Sequence, residues 1–215
     1  FHMCFGKVPS KEIVKAFDVS LILYAEHSFN VSTFTARTIT SSLSDIHGAI
    51  TGAIASLKGP LHGGANEEVM NMMNKIKKPE NALKWIINTL DKKEVVMGFG
   101  HRVYKKGDSR VPTMEKYFKK VSEITGDKKF IRIYDIVKKV MIERKNIHPN
   151  VDYPTGPTYH LMNFDTDFFT PIFVMSRITG WAAHIIEQHA ANKLIRPLSK
   201  YSGPEHRRVL LLNQR

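Results

Sequence analysis

The residues with the clearest chemical potential begin with His62, in the stretch GPLHGGAN at positions 59–66. If a helix starts near Gly64 or Ala65, its unpaired backbone N–H groups face this imidazole, and their partial positive charge disfavours a second cation. The pKa of His62 should therefore fall, which leaves a neutral ring that donates a hydrogen bond without giving up its proton. The alternative is a histidine that only caps the turn.

A second turn, VVMGFGHRVYKKGDSR at positions 95–110, joins His101 to a cluster of cations that includes Arg110. Its glycines open the backbone to a ligand, and the cations suit carboxylates or phosphates. It lacks the Lys-Ser/Thr ending of a phosphate-binding loop. A basic surface loop without a ligand is the alternative interpretation.

Other candidate groups are a carboxylate, two arginines and a further imidazole. Asp152 lies in NVDYPTG, where a tightly turned backbone makes it either a helix cap or a general base aimed into a cleft. Arg177 lies in an apolar helical stretch, so an anion must meet it, either a ligand or an internal carboxylate. Arg196 and His27 complete the set. No HExxH or CxxC motif is present, so no metal site is expected.

The elements that must position these residues are mostly helical. Apolar residues recur with helical spacing in six stretches, at about 14–24, 43–57, 83–90, 114–121, 130–141 and 168–192. Val95, Val96 and Met97 predict one short strand. Glycine and proline cluster in the three turns, which bracket a lysine-rich middle, and this arrangement predicts a smaller domain inserted into a larger helical one.

The charge of the chain is concentrated in that middle section. The 215 residues carry a formal charge of +12, and positions 70–145 hold 20 Lys and Arg against 9 Asp and Glu. Such a field attracts nucleic acid, a membrane surface or a phosphorylated small molecule, unless it is only a solvated lysine-rich face. No run of about 18 apolar residues predicts a membrane span. The single cysteine, Cys4, excludes an internal disulfide and fits a reducing compartment.

Six stretches, in order along essentially the whole chain, resemble the citrate synthase family: AEHSFNVSTFTAR, GPLHGGANEEVM, MGFGHRVYKKGDSR, NVDYPTG, SRITGWAAH and IRPLS. The resemblance implies an all-α fold with two domains and a homodimer that condenses an acyl-CoA with oxaloacetate. It implies no metal and no permanently bound cofactor. It also assigns residues 1–62 and 164–215 to a large domain and residues 63–163 to an inserted small domain, and implies that the N-terminal helices of the family are missing here.

The resemblance also implies a role for each candidate residue. Asp152 would be the base that takes the α-proton of the acyl-CoA, His62 the donor that stabilises the enolate, and His101 the group that polarises the oxaloacetate carbonyl. The implied ligands of the substrate carboxylates are His27, Arg110, Arg177 and Arg196, the last reaching in from the other subunit. The implied CoA contacts are the adenine-lining run Val95, Val96, Met97, Gly98 and Phe99, and the phosphate contact Lys105.

Within the family, the stretches GDSRVPTM, YPTGPTYHLMNFDTDFFTPIFVMSRITGW and IRPLSKYSGPEHR resemble 2-methylcitrate synthases, which use propionyl-CoA, more than citrate synthases, which use acetyl-CoA. One methylene discriminates by only about 1–3 kcal/mol, so acetyl-CoA stays an alternative substrate. The expected location is the cytoplasm of a bacterium, or the mitochondrial matrix if the source is eukaryotic. Neither nucleic acid nor a membrane is an expected partner.

Two other classes of function make different predictions. A basic helical nucleic-acid-binding module would align its lysines on one exposed helix face and lose affinity steeply with salt. An inactive partner or scaffold would keep the fold, but His62, His101 and Asp152 would not meet around one cleft.

Overall fold

A computed structural model describes residues 1–104 and 106–215. The α-helices of this part are α1 His2–Phe5, α2 Lys11–Ala25, α3 Val31–Ser41, α4 Ile46–Leu57, α5 Ala65–Ile76, α6 Pro79–Asp91, α7 Val111–Thr125, α8 Lys129–Lys145, α9 Asp152–Leu161 and α10 Phe169–Ala190. Short 3-10 turns occupy Thr166–Phe168 and Leu212–Gln214. The predicted all-α fold class is confirmed. None of the described helices combines the length and apolar character that a membrane span requires.

The predicted strand at Val95–Val96–Met97 is wrong. Those residues lie in irregular backbone and a turn, and the nearest pairing in the described part is one isolated antiparallel bridge between Phe99 and Pro149. The following glycine, Gly98, has a φ of 81°, a left-handed conformation that ends an extended run of L-residues. The run of three apolar residues is therefore too short to build a strand.

Side-chain caps fix where the helices beside the site begin. Asn30 Oδ1 accepts the N–H of Thr33 at 3.1 Å, which starts α3 one turn after His27. Asp45 Oδ1 accepts the N–H of Gly48 at 2.8 Å and starts α4 in the same way. Each cap satisfies a backbone donor that the helix itself leaves unpaired. The first turn of α3 is thereby held in a fixed position.

The helices pack in two groups that also touch each other. Helix α10 packs against α2, α3 and α4, whereas α5 packs against α9, α6 against α8 and α7 against α9. Contacts of α2 with α7 and of α10 with α5 join the groups. A Cβ at Gly180 would overlap the carbonyl oxygen of Ala25, so α10 and α2 cross at very short range there. This close approach brings the middle of α10 next to the end of α2.

Candidate active site

The polar turns converge on one cleft with a volume of about 660 Å³, where the two groups of helices meet. Its walls come from the end of α2, the start of α3, the turn before α5, the segment before α7, the start of α9 and the middle of α10. The predicted site residues that line it are His27, His62, His101, Arg110, Asp152 and Arg177. The hypothesis of an inactive scaffold required His62, His101 and Asp152 to lie apart, whereas all three line this cleft.

His62 lies in the turn that leads into α5, which begins at Ala65, one of the two starts considered from the sequence. Its Nε2 accepts the backbone N–H of Ser32 at 3.3 Å and lies 2.8 Å from the Ser32 hydroxyl. A ring nitrogen that accepts an N–H holds a lone pair, so the proton of neutral His62 resides on Nδ1. Trp181 Nε1 donates to the same hydroxyl at 3.1 Å and holds it in place.

The pKa of His62 is lowered to about 4, mainly by burial and then by the positive charge of Arg177. Desolvation disfavours the imidazolium, and a nearby cation adds repulsion. The ring is therefore neutral at pH 7, as the sequence predicts. The cause differs, because the prediction relied on the helix N-terminus, whereas burial and a cation dominate here.

His101 and His27 contact each other through their Nε2 atoms, which are 3.0 Å apart. His101 Nδ1 accepts the backbone N–H groups of Val103 at 3.0 Å and Tyr104 at 3.2 Å. The proton of neutral His101 therefore resides on Nε2 and is donated to His27. Burial, followed by the charge of Arg110, lowers the pKa of His27 to about 4. A donor N–H of His101 thus points to the region where His27 lines the cleft.

Asp152 is the first residue of α9 rather than part of an isolated turn, which corrects the sequence-based description of its backbone. Its Oδ1 accepts the hydroxyl of Tyr24 at 2.6 Å. Burial raises the pKa of Asp152 to about 6, although the Tyr24 hydrogen bond and the charge of Arg110 oppose the rise. A carboxylate with a pKa near the working pH is suited to remove and return protons.

Arg177, in the middle of α10, is only 1% exposed. Its Nε donates to the carbonyl of Tyr24 at 2.6 Å, and its guanidinium lies 4.8 Å above the ring of Phe173. One terminal nitrogen is buried with no hydrogen-bond partner, and no carboxylate of the described residues forms an ion pair with Arg177. Burial lowers the pKa of Arg177 only to about 10, so it stays cationic at pH 7. A buried, unpaired cation is costly and favours an anionic ligand.

Arg110 is held by Asp108, which was not among the predicted site residues. Asp108 accepts its Nε at 3.0 Å and its NH2 at 2.7 Å, in a fork-to-fork pair. The second oxygen of Asp108 also accepts the N–H of Val151 at 3.0 Å, which ties the loop before α7 to the start of α9. Asp108 thereby fixes Arg110 and Asp152 relative to each other. The sequence Asp108-Ser109-Arg110, with a carboxylate two residues before the arginine, was the signal that could have indicated this pair.

The other predicted contact residues lie outside the lining of the cleft. Arg196 is exposed on the segment that follows α10. The run Val95, Val96, Met97, Gly98 and Phe99 leads into the cleft wall at Gly100, with Val95 exposed and Val96 and Gly98 buried. Lys105 lies outside the described residues. Over 1–104 and 106–215, no cluster of three or more His, Cys, Asp or Glu side chains is arranged to hold a metal.

The family model of the citrate synthase C-terminal domain matches residues 1–198 of the chain. The chain belongs to the citrate synthase family. The resemblance seen in the sequence is thus confirmed. The six polar groups of the cleft therefore lie on a citrate synthase framework.

Relatives with high sequence identity carry two names. The chain is 56% identical to 2-methylcitrate synthase 2 of Corynebacterium glutamicum, over 99% of this chain and 57% of that protein. It is 57% identical to 2-methylcitrate synthase of Mycobacterium tuberculosis, over 96% of this chain and 52% of that protein. It is 55% identical to a citrate synthase of Mycolicibacterium smegmatis, over 97% of this chain and 56% of that protein. The chain spans about half the length of the curated relatives it matches.

Solved structures agree with the family assignment. The citrate synthase of Thermoplasma acidophilum, in a ternary complex with carboxymethyl coenzyme A and oxaloacetate, superposes with a TM-score of 0.90 at 36% identity. The match covers 100% of this chain and 58% of that one. The citrate synthase of Thermotoga maritima gives a TM-score of 0.88, also at 36% identity, over 100% of this chain and 59% of that one.

Proposed function

We propose that the protein acts as a 2-methylcitrate synthase, which condenses propionyl-CoA with oxaloacetate and hydrolyses the thioester to release 2-methylcitrate and CoA. The observation that carries the proposal is the buried guanidinium of Arg177, which has no ion-pair partner among the described residues, in a cleft shared with Asp152 and the neutral rings of His27 and His62. Relatives named 2-methylcitrate synthase, at 54–57% identity, support propionyl-CoA as the acyl donor.

Oxaloacetate is a dianion, and the cations of the cleft are its proposed ligands. Arg177 supplies a buried guanidinium with no ion-pair partner among the described residues, and Arg110 supplies a second guanidinium that Asp108 holds in place. His27 adds a neutral donor. Charge-assisted contacts of this kind give both affinity and orientation to a carboxylate. Arg196, exposed in this chain, is proposed to reach the site of a second subunit.

The first chemical step is removal of the α-proton of propionyl-CoA. A thioester α-proton is too weakly acidic for a carboxylate in water, so the developing enolate oxygen must be stabilised as the proton leaves. Asp152 accepts the proton, and His62 donates its Nδ1–H to the thioester oxygen. Because His62 is neutral, it stabilises the oxygen without protonating Asp152.

The enolate carbon then forms a bond to the keto carbon of oxaloacetate. The carbonyl π electrons move to the keto oxygen, which takes the Nε2 proton of His101. The proton that Asp152 removed is released to solvent and one proton from solvent restores His101, and the product is a thioester of 2-methylcitrate. Water adds to the thioester carbon, the carbon–sulfur bond breaks, and CoA leaves as a thiol. Exclusion of bulk water before the condensation would protect the thioester.

The remaining assignments are part of the same proposal. Val95 to Phe99 would line the CoA adenine, with Lys105 at a CoA phosphate, in a small domain of residues 63–163 that closes on a large domain of residues 1–62 and 164–215. The protein would act as a homodimer in the cytoplasm, with no resident cofactor or metal and with no nucleic acid or membrane as partner.

The test compares kcat/KM for propionyl-CoA and acetyl-CoA with oxaloacetate present, and follows release of the CoA thiol. The protein used is the intact gene product that carries this sequence. A higher value for propionyl-CoA is expected. A clear preference for acetyl-CoA would make it a citrate synthase, which is the name of the relative from Mycolicibacterium smegmatis at 55% identity. Thiol release that does not require oxaloacetate would refute both assignments.

A further inference from the structure

One tyrosine in the last turn of α2 contacts two charged groups of the cleft. We propose that Tyr24 is a positioning residue for Asp152, whose Oδ1 it holds so that Oδ2 is the oxygen that takes the α-proton. This inference rests on the proposed function, because it concerns the base of that reaction. It adds a residue whose side chain has no role in the scheme above.

The hydrogen bond is short and its donor is firmly held. The Tyr24 hydroxyl lies 2.6 Å from Asp152 Oδ1, and the residue is only 1% exposed. Its ring packs against Phe173, with the ring centroids 4.0 Å apart. Burial raises the pKa of Tyr24 well above its ordinary value, so the phenol keeps its proton throughout the neutral range. Tyr24 can therefore only donate to the carboxylate.

A carboxylate with one oxygen anchored has a defined reactive oxygen. Among the described residues, no hydrogen bond reaches Asp152 Oδ2, although Asp152 lines the cleft. Rotation of the carboxyl group would break the Tyr24 bond, so the orientation is fixed before the substrate arrives. Such preorganisation lowers the barrier because the base does not have to reorient during proton transfer.

The backbone of Tyr24 links this base to the anion site. Its carbonyl accepts Arg177 Nε at 2.6 Å, while its side chain holds Asp152. The proposed proton acceptor and the proposed oxaloacetate ligand are thus both positioned by one residue of α2. A shift of that residue would misplace the acyl-CoA base relative to its partner substrate.

The hydroxyl also affects the charge state of Asp152. Charged groups that face Asp152 are Arg110 and Asp108 ahead of α7 and Arg177 in α10. The neutral ring of His62 and the ring of His101 share the cleft. Arg110 and Arg177 favour the ionised carboxylate of Asp152, whereas Asp108 disfavours it. A phenol that donates to the ionised form favours it as well. Loss of the hydroxyl should therefore raise the pKa of Asp152.

The test is Tyr24→Phe in the intact gene product, with Tyr159→Phe as the matched control. Tyr159 is equally buried in the same core, but its hydroxyl contacts Ser20 at 3.0 Å and not Asp152. We expect Tyr24→Phe to lower kcat by about tenfold or more, because hydrogen bonds to charged acceptors carry that much energy, with a smaller change in the KM for oxaloacetate. The acidic limb of the kcat–pH profile should move to higher pH.

The control should keep the wild-type profile. A wild-type pH profile and kcat in Tyr24→Phe would overturn the inference, and so would an equal profile shift in Tyr159→Phe. If Tyr24→Phe does not fold, 3-fluorotyrosine at position 24 retains the ring and hydroxyl but makes the phenol a stronger donor. The acidic limb should then move to lower pH, and an unmoved limb refutes the role. If the unaltered protein does not release CoA in the presence of oxaloacetate, the proposed function itself is contradicted.

Discussion

Replacement of Arg177 by methionine should weaken oxaloacetate binding without destabilising the free protein. In the free state one guanidinium nitrogen is buried without a partner, and its removal relieves a desolvation penalty of about 1–3 kcal/mol. The carbonyl of Tyr24 loses a donor, which costs about 1 kcal/mol. The free energy of unfolding should thus stay unchanged or rise by up to about 2 kcal/mol.

Oxaloacetate binding, unlike stability, should be weakened by Arg177→Met. Loss of one buried charge-assisted contact to a carboxylate costs about 2–5 kcal/mol, which corresponds to oxaloacetate binding that is weaker by about 30-fold to a few thousand-fold. Urea denaturation measures the first quantity, and isothermal titration calorimetry with oxaloacetate measures the second. Stability and affinity would therefore separate in one variant.

Arg37→Met is the matched control for this separation. Arg37 also lies on a helix and its side chain is only 13% exposed, but it is paired with Glu187 and donates to His184 Nδ1 at 3.0 Å. Its loss should destabilise the protein by about 1–2 kcal/mol and leave oxaloacetate binding near normal. A stability loss above about 2 kcal/mol in Arg177→Met would refute the reasoning, because it would mean that Arg177 is already compensated in the free protein.

Three further substitutions test other parts of the site. Asp152→Asn should lower kcat by at least about 100-fold, while calorimetry still detects oxaloacetate binding. In the unaltered protein, kcat/KM should fall as the pH drops through about 6, because only the ionised base is active. Near-normal turnover of the variant would remove Asp152 from the mechanism. Burial alone would raise the pKa of Asp108, but the hydrogen bonds and charge of Arg110 outweigh it and hold the pKa below its ordinary value. Asp108→Asn should therefore lower the free energy of unfolding at neutral pH, and this loss should shrink as the pH falls below about 4. Urea denaturation at several pH values measures it, and a loss that does not change with pH would contradict the ion pair. Gly180→Ala should lower the melting temperature by several degrees, since its Cβ meets the Ala25 carbonyl, and an unchanged melting temperature would show that α2 and α10 separate easily.

Helical elements were predictable wherever an apolar stripe ran for several turns. The last pattern, 168–192, corresponds closely to α10 Phe169–Ala190, because a long amphipathic repeat has no competing solution. The start of α9 was described as a turn because its sequence, DYPTGPTYHL, contains two prolines and a glycine. Pro154 lies in the first turn, where the helix needs no N–H from it, so the helix tolerates this residue.

The residues that carry the chemistry were predictable by type, but their supporting contacts were not. Tyr24 fitted an apolar helical stripe, and nothing local indicates that its hydroxyl meets a carboxylate 128 residues further along the chain. The contact of Ser32 with His62, and that of Trp181 with Ser32, also join residues that are remote in sequence. Such contacts join α2 to α9, α3 to the turn before α5, and α10 to α3, and side-chain spacing along one helix does not encode them.

The central claim is that this cleft forms a carbon–carbon bond between an acyl-CoA and oxaloacetate, with Asp152 as the base. The most direct measurement follows propionyl-CoA labelled with carbon-13 at its α-carbon by NMR, in the presence of oxaloacetate and the intact gene product. The account predicts that the labelled carbon becomes bonded to the former keto carbon as CoA is released, and that Asp152→Asn abolishes this product. Labelled propionate as the main product, or an equal yield from Asp152→Asn, would contradict it.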